Sequence, residues 1–265
     1  CFNTLELSFP FISSSISPKS NALMRLIAST LWNSLSLSSR HLSRRAMATA
    51  TSMDEPACHR NKHPIASAFL DNNLFSVGKK NLNVVEIGAG TGVHCLYLSD
   101  AFMDAGYEIT SWHPTDPDQS SRLACDRILK ECDCAIARES LDLMIAEEGV
   151  GDDFAALVGG KNNTDLIYLC NVLHISPWSC TLGVLTTAAK LLKSTGALCV
   201  YGPFLEDDNV VESNLLFSEH LRCRDEQWGV RNLREVIASA EERGLTLAHR
   251  VEMPKNNLLV VFKKK

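Results

Sequence analysis

Val84-Val85-Glu86-Ile87-Gly88-Ala89-Gly90-Thr91-Gly92 joins an apolar run to three glycines at alternate positions. The β-branched apolar run predicts a short buried strand. Because the glycines lack Cβ atoms, the backbone can turn sharply there and approach a ligand closely. A helix over about residues 91–105 would then direct its free N–H groups and positive dipole end at the turn. The stretch predicts a strand, a ligand-binding turn and a helix.

The glycine spacing indicates which ligand to expect. A dinucleotide loop has the pattern G-x-G-x-x-G, whereas here the third glycine comes one residue early and Val93 takes the place of a glycine. The pattern E-x-G-x-G-x-G resembles the first motif of the Rossmann-like S-adenosylmethionine-dependent methyltransferases. A carboxylate such as Glu86 suits a cationic cofactor and would repel a pyrophosphate. A glycine turn without ligand and a dinucleotide site stay open as alternatives.

Charge and cysteine usage exclude several classes of function. The whole chain carries −5, and residues 1–53 hold five cationic side chains against one acid, which leaves −9 for the rest. The strongly negative charge of residues 54–265 argues against a nucleic-acid substrate. The ten cysteines include Cys132-x-Cys134 but no C-x-x-C pair, so neither a metal site nor a disulfide framework is predicted. No apolar run reaches the ~18 residues of a membrane span.

Residues 1–53 are expected to form a disordered leader, with residues 54–265 as a single domain. Segment 24–52 is rich in Ser, Leu and Arg and has no acidic residue, which is typical of a mitochondrial or plastid transit peptide. An untranslated leader read in frame, with Met47 or Met53 as the real start, is an equal alternative. The expected location is cytoplasmic unless segment 24–52 is a genuine transit peptide.

Two acidic residues are candidates for the nucleoside part of a cofactor. Residues 107–113 predict a second strand that Pro114 ends, and Asp116 follows. In doubly wound folds an acid at this place binds ribose hydroxyls; the alternative is a helix N-cap. A third strand within residues 134–142 would end at Asp142, which is then placed to reach the adenine amino group.

The segment before the glycine turn predicts an entrance to the site. Pro64 is favourable at a first helical position, and the apolar spacing that follows indicates a helix over residues 64–75. The polar residues Arg60, Asn61 and Lys62 would precede this helix. We expect them to form a lid or entry loop on the substrate side.

Residues 165–170, which are apolar after Asp165, predict a central strand, and Asn171 and then His174 follow it. Ligands of open α/β sheets lie at the carboxyl ends of the strands. Asn171 and His174 should therefore face the same crevice as the glycine turn.

Four motifs narrow the resemblance. They are Asn171-x-x-His174-Ile-Ser-Pro-Trp178, Tyr201-Gly-Pro-Phe204, Arg224-Asp225-x-x-Trp228-Gly229-x-Arg231 and Glu252-Met-Pro-x-Asn-Asn257. Together they resemble the methyltransferase-like 26 group, a small branch of the S-adenosylmethionine-dependent methyltransferases, over about residues 60–262. The resemblance implies a Rossmann-like, doubly wound α/β fold. Its mostly parallel, seven-stranded sheet would end in an antiparallel hairpin, which residues 245–253 and 257–262 predict, with helices on both faces.

The resemblance also implies the cofactor S-adenosyl-L-methionine and a set of residues around it. The cofactor-binding candidates are Glu86, Gly88, Ala89, Gly90, Gly92, Asp116, Asp142 and Asn171. The candidates at the reacting centre are His174, Asn171 and Tyr201, and those for the substrate are Arg60, Asn61, Lys62, Trp178, Arg224 and Arg231.

Each candidate near the reacting centre has a chemical role and a plainer alternative. His174 titrates near neutral pH and is a candidate base, or else a structural histidine. Asn171 can hold an amine or the cofactor through its amide. Tyr201 and Trp178 can wall an aromatic or cationic acceptor, or belong to the core.

The sequence leaves open the roles of two arginines and the identity of the methyl acceptor. Arg224 and Arg231 can clamp a substrate carboxylate, or pair with Asp225 or Glu226. The expected acceptor is a small molecule or a protein side chain, and the sequence indicates no oligomeric state. A cofactor-binding interaction protein without turnover and a nicotinamide-dependent oxidoreductase are the alternatives.

Overall fold

The computed structural model describes residues 56–72, 81–209 and 211–265. The predicted leader over residues 1–53 lies outside these ranges, as does the predicted end of the first helix at residue 75.

Eight strands form one sheet in the described part of the chain. They are β1 (Leu82–Ile87), β2 (Ile109–Asp116), β3 (Leu141–Asp142), β4 (Thr164–Cys170), β5 (Leu192–Leu205), β6 (Arg231–Asn232), β7 (Leu245–Met253) and β8 (Asn257–Lys264). The order is β3-β2-β1-β4-β5-β8-β7, and the short β6 pairs with the end of β5. Only β8 runs antiparallel to its neighbours β5 and β7. The predicted fold class and final hairpin are confirmed, and β6 adds one strand to the predicted seven.

Helices cover both faces of the sheet. They are α1 (Ala57–Asp71), α2 (Val93–Asp104), α3 (Gln119–Glu131), α4 (Asp152–Leu157), α5 (Trp178–Leu191), α6 (Glu212–Arg224) and α7 (Leu233–Glu242). Helices α1, α2 and α3 contribute to the core on one face, and α4, α5 and α7 to the core on the other. Strand β4 supplies side chains alternately to both cores, which explains its apolar run from Leu166 onward.

Helix α1 begins seven residues before the predicted start, at Ala57, and Pro64 lies inside it. A proline in a helix removes one N–H donor, which leaves the carbonyl of residue 60 without its helical partner. Burial of Ile65 and Phe69 against the sheet, both fully inaccessible to solvent, offsets that loss. The residues predicted as an entry loop, Arg60 to Lys62, are therefore helical.

Strand β2 passes through Pro114 and ends at Asp116, so the prediction that Pro114 ends the strand is wrong. Proline is tolerated at a position whose N–H side needs no partner strand. Strand β3 pairs with β2 only at Thr115 and Asp116, so β2 is an edge strand at Pro114. The extension brings Asp116 to the level of the glycine turn.

Candidate active site

A cavity of about 500 Å³ lies at the carboxyl ends of β1, β2 and β4. This volume is within the range of small-molecule sites. Four of the predicted cofactor-binding residues line it, namely Gly88, Gly90, Asp116 and Asn171. The structure thus brings together residues from three separate strand ends, as the positions of these strands in an open α/β sheet require.

Each of the three positions in the turn requires glycine for a different structural reason. Their φ values are +68° at Gly88, +55° at Gly90 and +78° at Gly92, a region that side chains with a Cβ rarely adopt. A Cβ at Gly88 would lie 2.6 Å from Val172 Cγ2, and one at Gly92 would lie 2.7 Å from Cys125 Sγ. A Cβ at Gly90 would have no atom within 4 Å. Two glycines therefore permit packing, and Gly90 leaves space on the cavity side.

Asp116 faces the cavity and holds the turn in place. Its carboxylate accepts hydrogen bonds from the backbone N–H of Gly90 and of Asp118, both at 2.9 Å. The N-cap of α3 is Asp118, whose carboxylate accepts from the Ser121 N–H at 2.7 Å. The alternative that Asp116 is the N-cap is therefore wrong. Each carboxylate oxygen retains a further lone pair, so Asp116 can still accept from ligand hydroxyls.

The predicted adenine-binding acid, Asp142, ends β3 but does not line the cavity. Its side chain is 70% exposed and forms an ion pair of 3.1 Å with Arg122. The next three residues, Leu143, Met144 and Ile145, form an apolar wall of the cavity. Sequence reasoning missed them, although an apolar run directly after a strand-end acid was the available signal.

Glu86 lies beneath the turn rather than in the cavity. It is 2% exposed, and its carboxyl accepts a hydrogen bond of 2.8 Å from Trp112 Nε1. Burial raises the pKa of Glu86 to about 8, with the Trp112 bond acting in the opposite direction. The side chain is therefore mostly protonated at neutral pH. Ala89, predicted with it, donates its N–H to Thr115 O at 2.8 Å and so shapes the turn.

Asn171 connects the cavity to the second part of the site. It has a φ of +59°, an unfavourable value for a residue with a side chain, and its N–H donates to Tyr201 O at 2.9 Å. Strain of this kind persists where the surrounding structure imposes it, often at functional sites. The strained conformation directs the chain from β4 into the 3₁₀ turn Leu173–Ile175, which carries His174.

His174 is 7% exposed, and its ring contacts the Phe217 ring at a centroid distance of 5.6 Å. Burial, and secondarily the charge of Arg231, lower the pKa of His174 to about 4. The imidazole is therefore neutral at pH 7, and the expectation that it titrates near neutral pH is not met. Tyr201 is also buried, and desolvation raises the pKa of its phenol above the ordinary value.

Arg231 holds the turn that carries His174. Its guanidinium donates to the carbonyl oxygens of Leu173 at 3.0 Å, of Ser176, and of Gln227 at 3.2 Å. It also lies 5.9 Å from the ring centroid of Trp178. These contacts join Arg231 to the protein itself, and the roles predicted for Arg231 and Trp178 toward a substrate stay predictions.

Arg224 does not form the ion pair that one sequence hypothesis expected, and its role toward a substrate carboxylate stays a prediction. Its guanidinium lies 5.5 Å from the ring centroid of Trp228. In the described part of the chain, no ion pair joins it to Asp225 or Glu226.

The first turns of α1 are fixed beside the site by a buried polar chain. His94 Nε2 donates to the carbonyl oxygen of Cys58 at 3.1 Å, which leaves Nδ1 to accept from the Tyr168 hydroxyl at 3.2 Å. Lys62 is 5% exposed, and its ammonium lies 5.5 Å from the Tyr97 ring centroid. Lys62 thus packs on α2. Burial raises the pKa of the Tyr201 phenol, and the positive charge of Arg60 opposes this to a small extent; Asn61 lies beside Arg60 on the helix.

Within residues 56–72, 81–209 and 211–265, no group of three or more His, Cys, Asp or Glu side chains is arranged to hold a metal ion. Over the same ranges, no helix has the length and apolar character needed to cross a bilayer.

Solved structures share this fold at low sequence identity. Mitomycin 7-O-methyltransferase MmcR is 15% identical with a TM-score of 0.59, over 78% of this chain and 55% of that one. The LepI protein in complex with SAH and a substrate analogue is 13% identical with a TM-score of 0.59, over 82% and 50%. An O-methyltransferase family protein from Burkholderia thailandensis is 15% identical with a TM-score of 0.56, over 80% and 61%. This chain matches only about half to three fifths of the length of these proteins, and the likeness shows the fold alone.

A family-level match covers nearly all of the chain that carries this fold. The profile of the family described as "Protein of unknown function (DUF938)" matches residues 52–264. The protein therefore belongs to the DUF938 family.

Proposed function

We propose that this protein is an S-adenosylmethionine-dependent methyltransferase, with residues 54–265 as its catalytic domain. The observation that carries the proposal is the cavity at the strand ends, in which open space above Gly90 adjoins the Asp116 carboxylate and the Asn171 amide. The resemblance of the four sequence motifs to the methyltransferase-like 26 group supports the same proposal.

The chemistry of the cavity lining fits a sulfonium nucleoside. The apolar wall of Leu143, Met144 and Ile145 suits a purine, and the lone pairs of Asp116 suit ribose hydroxyls. Among the described residues, no Lys, Arg or His side chain lines the cavity. This lining disfavours a pyrophosphate, and hence a nicotinamide dinucleotide, and suits a cationic donor.

The protein's own contribution to methyl transfer is positioning and exclusion of water. The bound donor supplies an activated methyl group, so correct orientation of the acceptor can account for much of the rate. A general base is required only when the acceptor arrives protonated. The proposed acceptor is a small molecule or a protein side chain rather than nucleic acid, because the body of the chain is acidic.

Calorimetry with S-adenosylmethionine, its demethylated product and NADH tests the proposal. We expect the first two ligands to bind. Removing the charged acceptor in Asp116→Ala should weaken binding about tenfold or more, since a hydrogen bond to a charged group contributes ~1.5–3 kcal/mol. The matched control is Asp118→Ala, which removes an N-cap outside the cavity and should bind like the wild type.

Three experimental results would contradict the proposal or indicate a different function. Absence of heat with both sulfur ligands, for a folded protein, would contradict the proposal. Binding of NADH instead would indicate an oxidoreductase. Donor binding without methyl transfer to any fraction of a cell extract would indicate a cofactor-binding interaction protein.

A further inference from the structure

A second cavity, of about 770 Å³, lies at the amino ends of β1 and β2. The cavity proposed for the cofactor lies at the carboxyl ends of the same strands, and no described residue lines both. The volume of the second cavity is within the range of small-molecule sites. It is therefore a candidate site that does not depend on the proposed methyltransferase function.

Polar side chains form the floor of the second cavity on one face of the sheet. Ser111 and His113 are alternate residues of β2, so their side chains project from the same face, on the order of 6–7 Å apart. Asn83 of β1 is the register partner of Ser111 and belongs to the same row. Further along β1, Val85 and Ile87 on this face belong to the apolar core. The sheet thus presents polar groups to the second cavity and apolar groups to the core.

Arg138 extends this row at the edge of the sheet. Trp112 and Ala137 form an isolated parallel bridge, and the Arg138 N–H donates to Trp112 O at 2.8 Å. The residues that follow this pair, His113 and Arg138, are therefore neighbours on adjacent segments, whose spacing is ~4.8 Å. In the described part of the chain, no ion pair or hydrogen bond engages the Arg138 guanidinium. Its charge is therefore available to a ligand.

Ser111 can only accept a further hydrogen bond. Asn83 directs its amide hydrogens to backbone carbonyls, of Val158 at 2.7 Å and of Asn163 at 3.2 Å. Its Oδ1 accepts from the Ser111 hydroxyl at 2.7 Å. A serine hydroxyl has one hydrogen and two lone pairs, so Ser111 Oγ retains acceptor capacity alone. A ligand group that bonds to Ser111 must therefore supply the hydrogen.

His113 faces the same space with both ring nitrogens unengaged. The residue is 8% exposed and lines the second cavity, and no hydrogen bond from another described residue reaches its ring. Over the described residues, the fully enclosed side-chain oxygens and nitrogens without a partner are the hydroxyls of Thr164 and Thr181, so the His113 nitrogens are open to the cavity. Burial, and secondarily the charge of Arg138, lower the pKa of His113. The neutral ring offers one N–H donor and one acceptor nitrogen.

The remaining lining limits the charge of a ligand and gives it an apolar surface. Lys193, the other cation of the described lining, is engaged by the buried Asp165 carboxylate at 2.8 and 3.0 Å. Glu139 also lines the cavity, and its charge disfavours an anion with more than one negative charge. Leu141 and Leu157, the latter 65% exposed, provide contacts for a carbon chain.

We propose that the second cavity binds a small hydroxy-carboxylate with a single negative charge. The carboxylate lies at Arg138 and His113, where the guanidinium fork and the imidazole N–H donate to its oxygens. A hydroxyl group farther along the carbon chain donates to Ser111 Oγ, and the chain itself contacts Leu141 and Leu157. This ligand supplies an acceptor where the floor has donors and a hydrogen where the floor has a lone pair.

Calorimetry with four probes tests each part of this assignment. Gluconate has the carboxylate and the hydroxyl groups, hexanoate has the carboxylate alone, glucose has the hydroxyls alone, and glucose 6-phosphate has a doubly charged anion. Because hydrogen bonds to charged groups are the stronger ones, we expect gluconate to bind at least about tenfold more tightly than each of the others. No binding of gluconate, or equal or tighter binding of any other probe, would overturn the proposal.

Arg138→Gln is the most direct variant. It removes the charge at an exposed position, so the variant should fold, and gluconate affinity should fall about tenfold or more. The matched control is Arg127→Gln, at an exposed arginine of α3 that lines neither cavity, and it should bind gluconate like the wild type. Equal losses in the two variants would mean general charge attraction and would overturn the assigned site.

Two further comparisons locate the ligand within the molecule. His113→Gln keeps a donor and an acceptor and should retain more gluconate binding than His113→Leu, with thermal unfolding used to verify that both variants are folded. Asp116→Ala alters the cofactor cavity and should bind gluconate like the wild type, whereas a loss there would place gluconate in the cofactor cavity and overturn the inference. Arg138→Gln should bind S-adenosylmethionine like the wild type, so failure of this inference and failure of the proposed function are separately visible.

Discussion

Gly90→Ala separates the conformational role of this glycine from its role toward a ligand. Gly90 has a φ of +55° and lines the cavity, and a Cβ there would have no protein atom within 4 Å. Gly106, after α2, also has a positive φ, +85°, and an equally open Cβ position, but it does not line the cavity. The two substitutions therefore impose the same kind of backbone strain, and only one adds an atom to the cavity.

The stability cost of both substitutions follows from the backbone conformation. A left-handed conformation costs a residue with a Cβ roughly 1–2 kcal/mol relative to glycine. For a domain of this size, each kcal/mol lowers the melting temperature by about 2–4 °C. Both variants should therefore melt roughly 2–8 °C below the wild type in a thermal unfolding experiment without ligand.

Donor affinity should distinguish the two variants. The methyl group of Gly90→Ala projects into the space that the proposed cofactor occupies, next to the N–H that donates to Asp116. We expect S-adenosylmethionine to bind this variant at least about tenfold more weakly, which corresponds to ~1.4 kcal/mol. Gly106→Ala should bind it with the wild-type dissociation constant in calorimetry at 25 °C. Equal affinities of the two variants would refute the assignment of the cofactor to the space above Gly90.

Three further predictions concern two buried polar groups and one half-buried arginine. Because the pKa of Glu86 rises from its ordinary 4.5 to about 8 on folding, wild-type stability should fall as pH rises through this interval, by up to ~1.4 kcal/mol per unit. Glu86→Gln should remove that slope in urea unfolding at pH 5 to 8; an unchanged slope would contradict it. His94 has its pKa lowered from 6.5 to about 4, so its contribution to stability should be lost as pH falls through that interval, and His94→Gln should be less acid-sensitive in the same assay. Arg231→Lys, which cannot maintain the bonds to the Leu173, Ser176 and Gln227 carbonyls, should lower stability by ~1–3 kcal/mol and reduce methyl transfer more than donor affinity; equal reductions would indicate a purely structural role.

The local sequence pattern was sufficient to predict the strands, turn and helix around the site. An apolar run followed by closely spaced glycines predicts β1, the turn and α2, because strand burial and left-handed turns depend on the residues at those positions. The hairpin of β7 and β8 was equally accessible, since alternation and turn residues are local properties. These signals were enough to place Gly90, Asp116 and Asn171 at one edge of the sheet.

Protonation state and hydrogen bonding in the site depend on contacts between residues that are far apart in the sequence, and the local sequence pattern could not predict these contacts. Burial on folding raises the pKa of Glu86 against the opposing effect of its hydrogen bond from Trp112, 26 residues away. Arg231 holds the turn that carries His174 because folding brings it to the carbonyl of Leu173, 58 residues away. Desolvation and hydrogen bonding depend on which groups meet in space, so the packed structure alone establishes them.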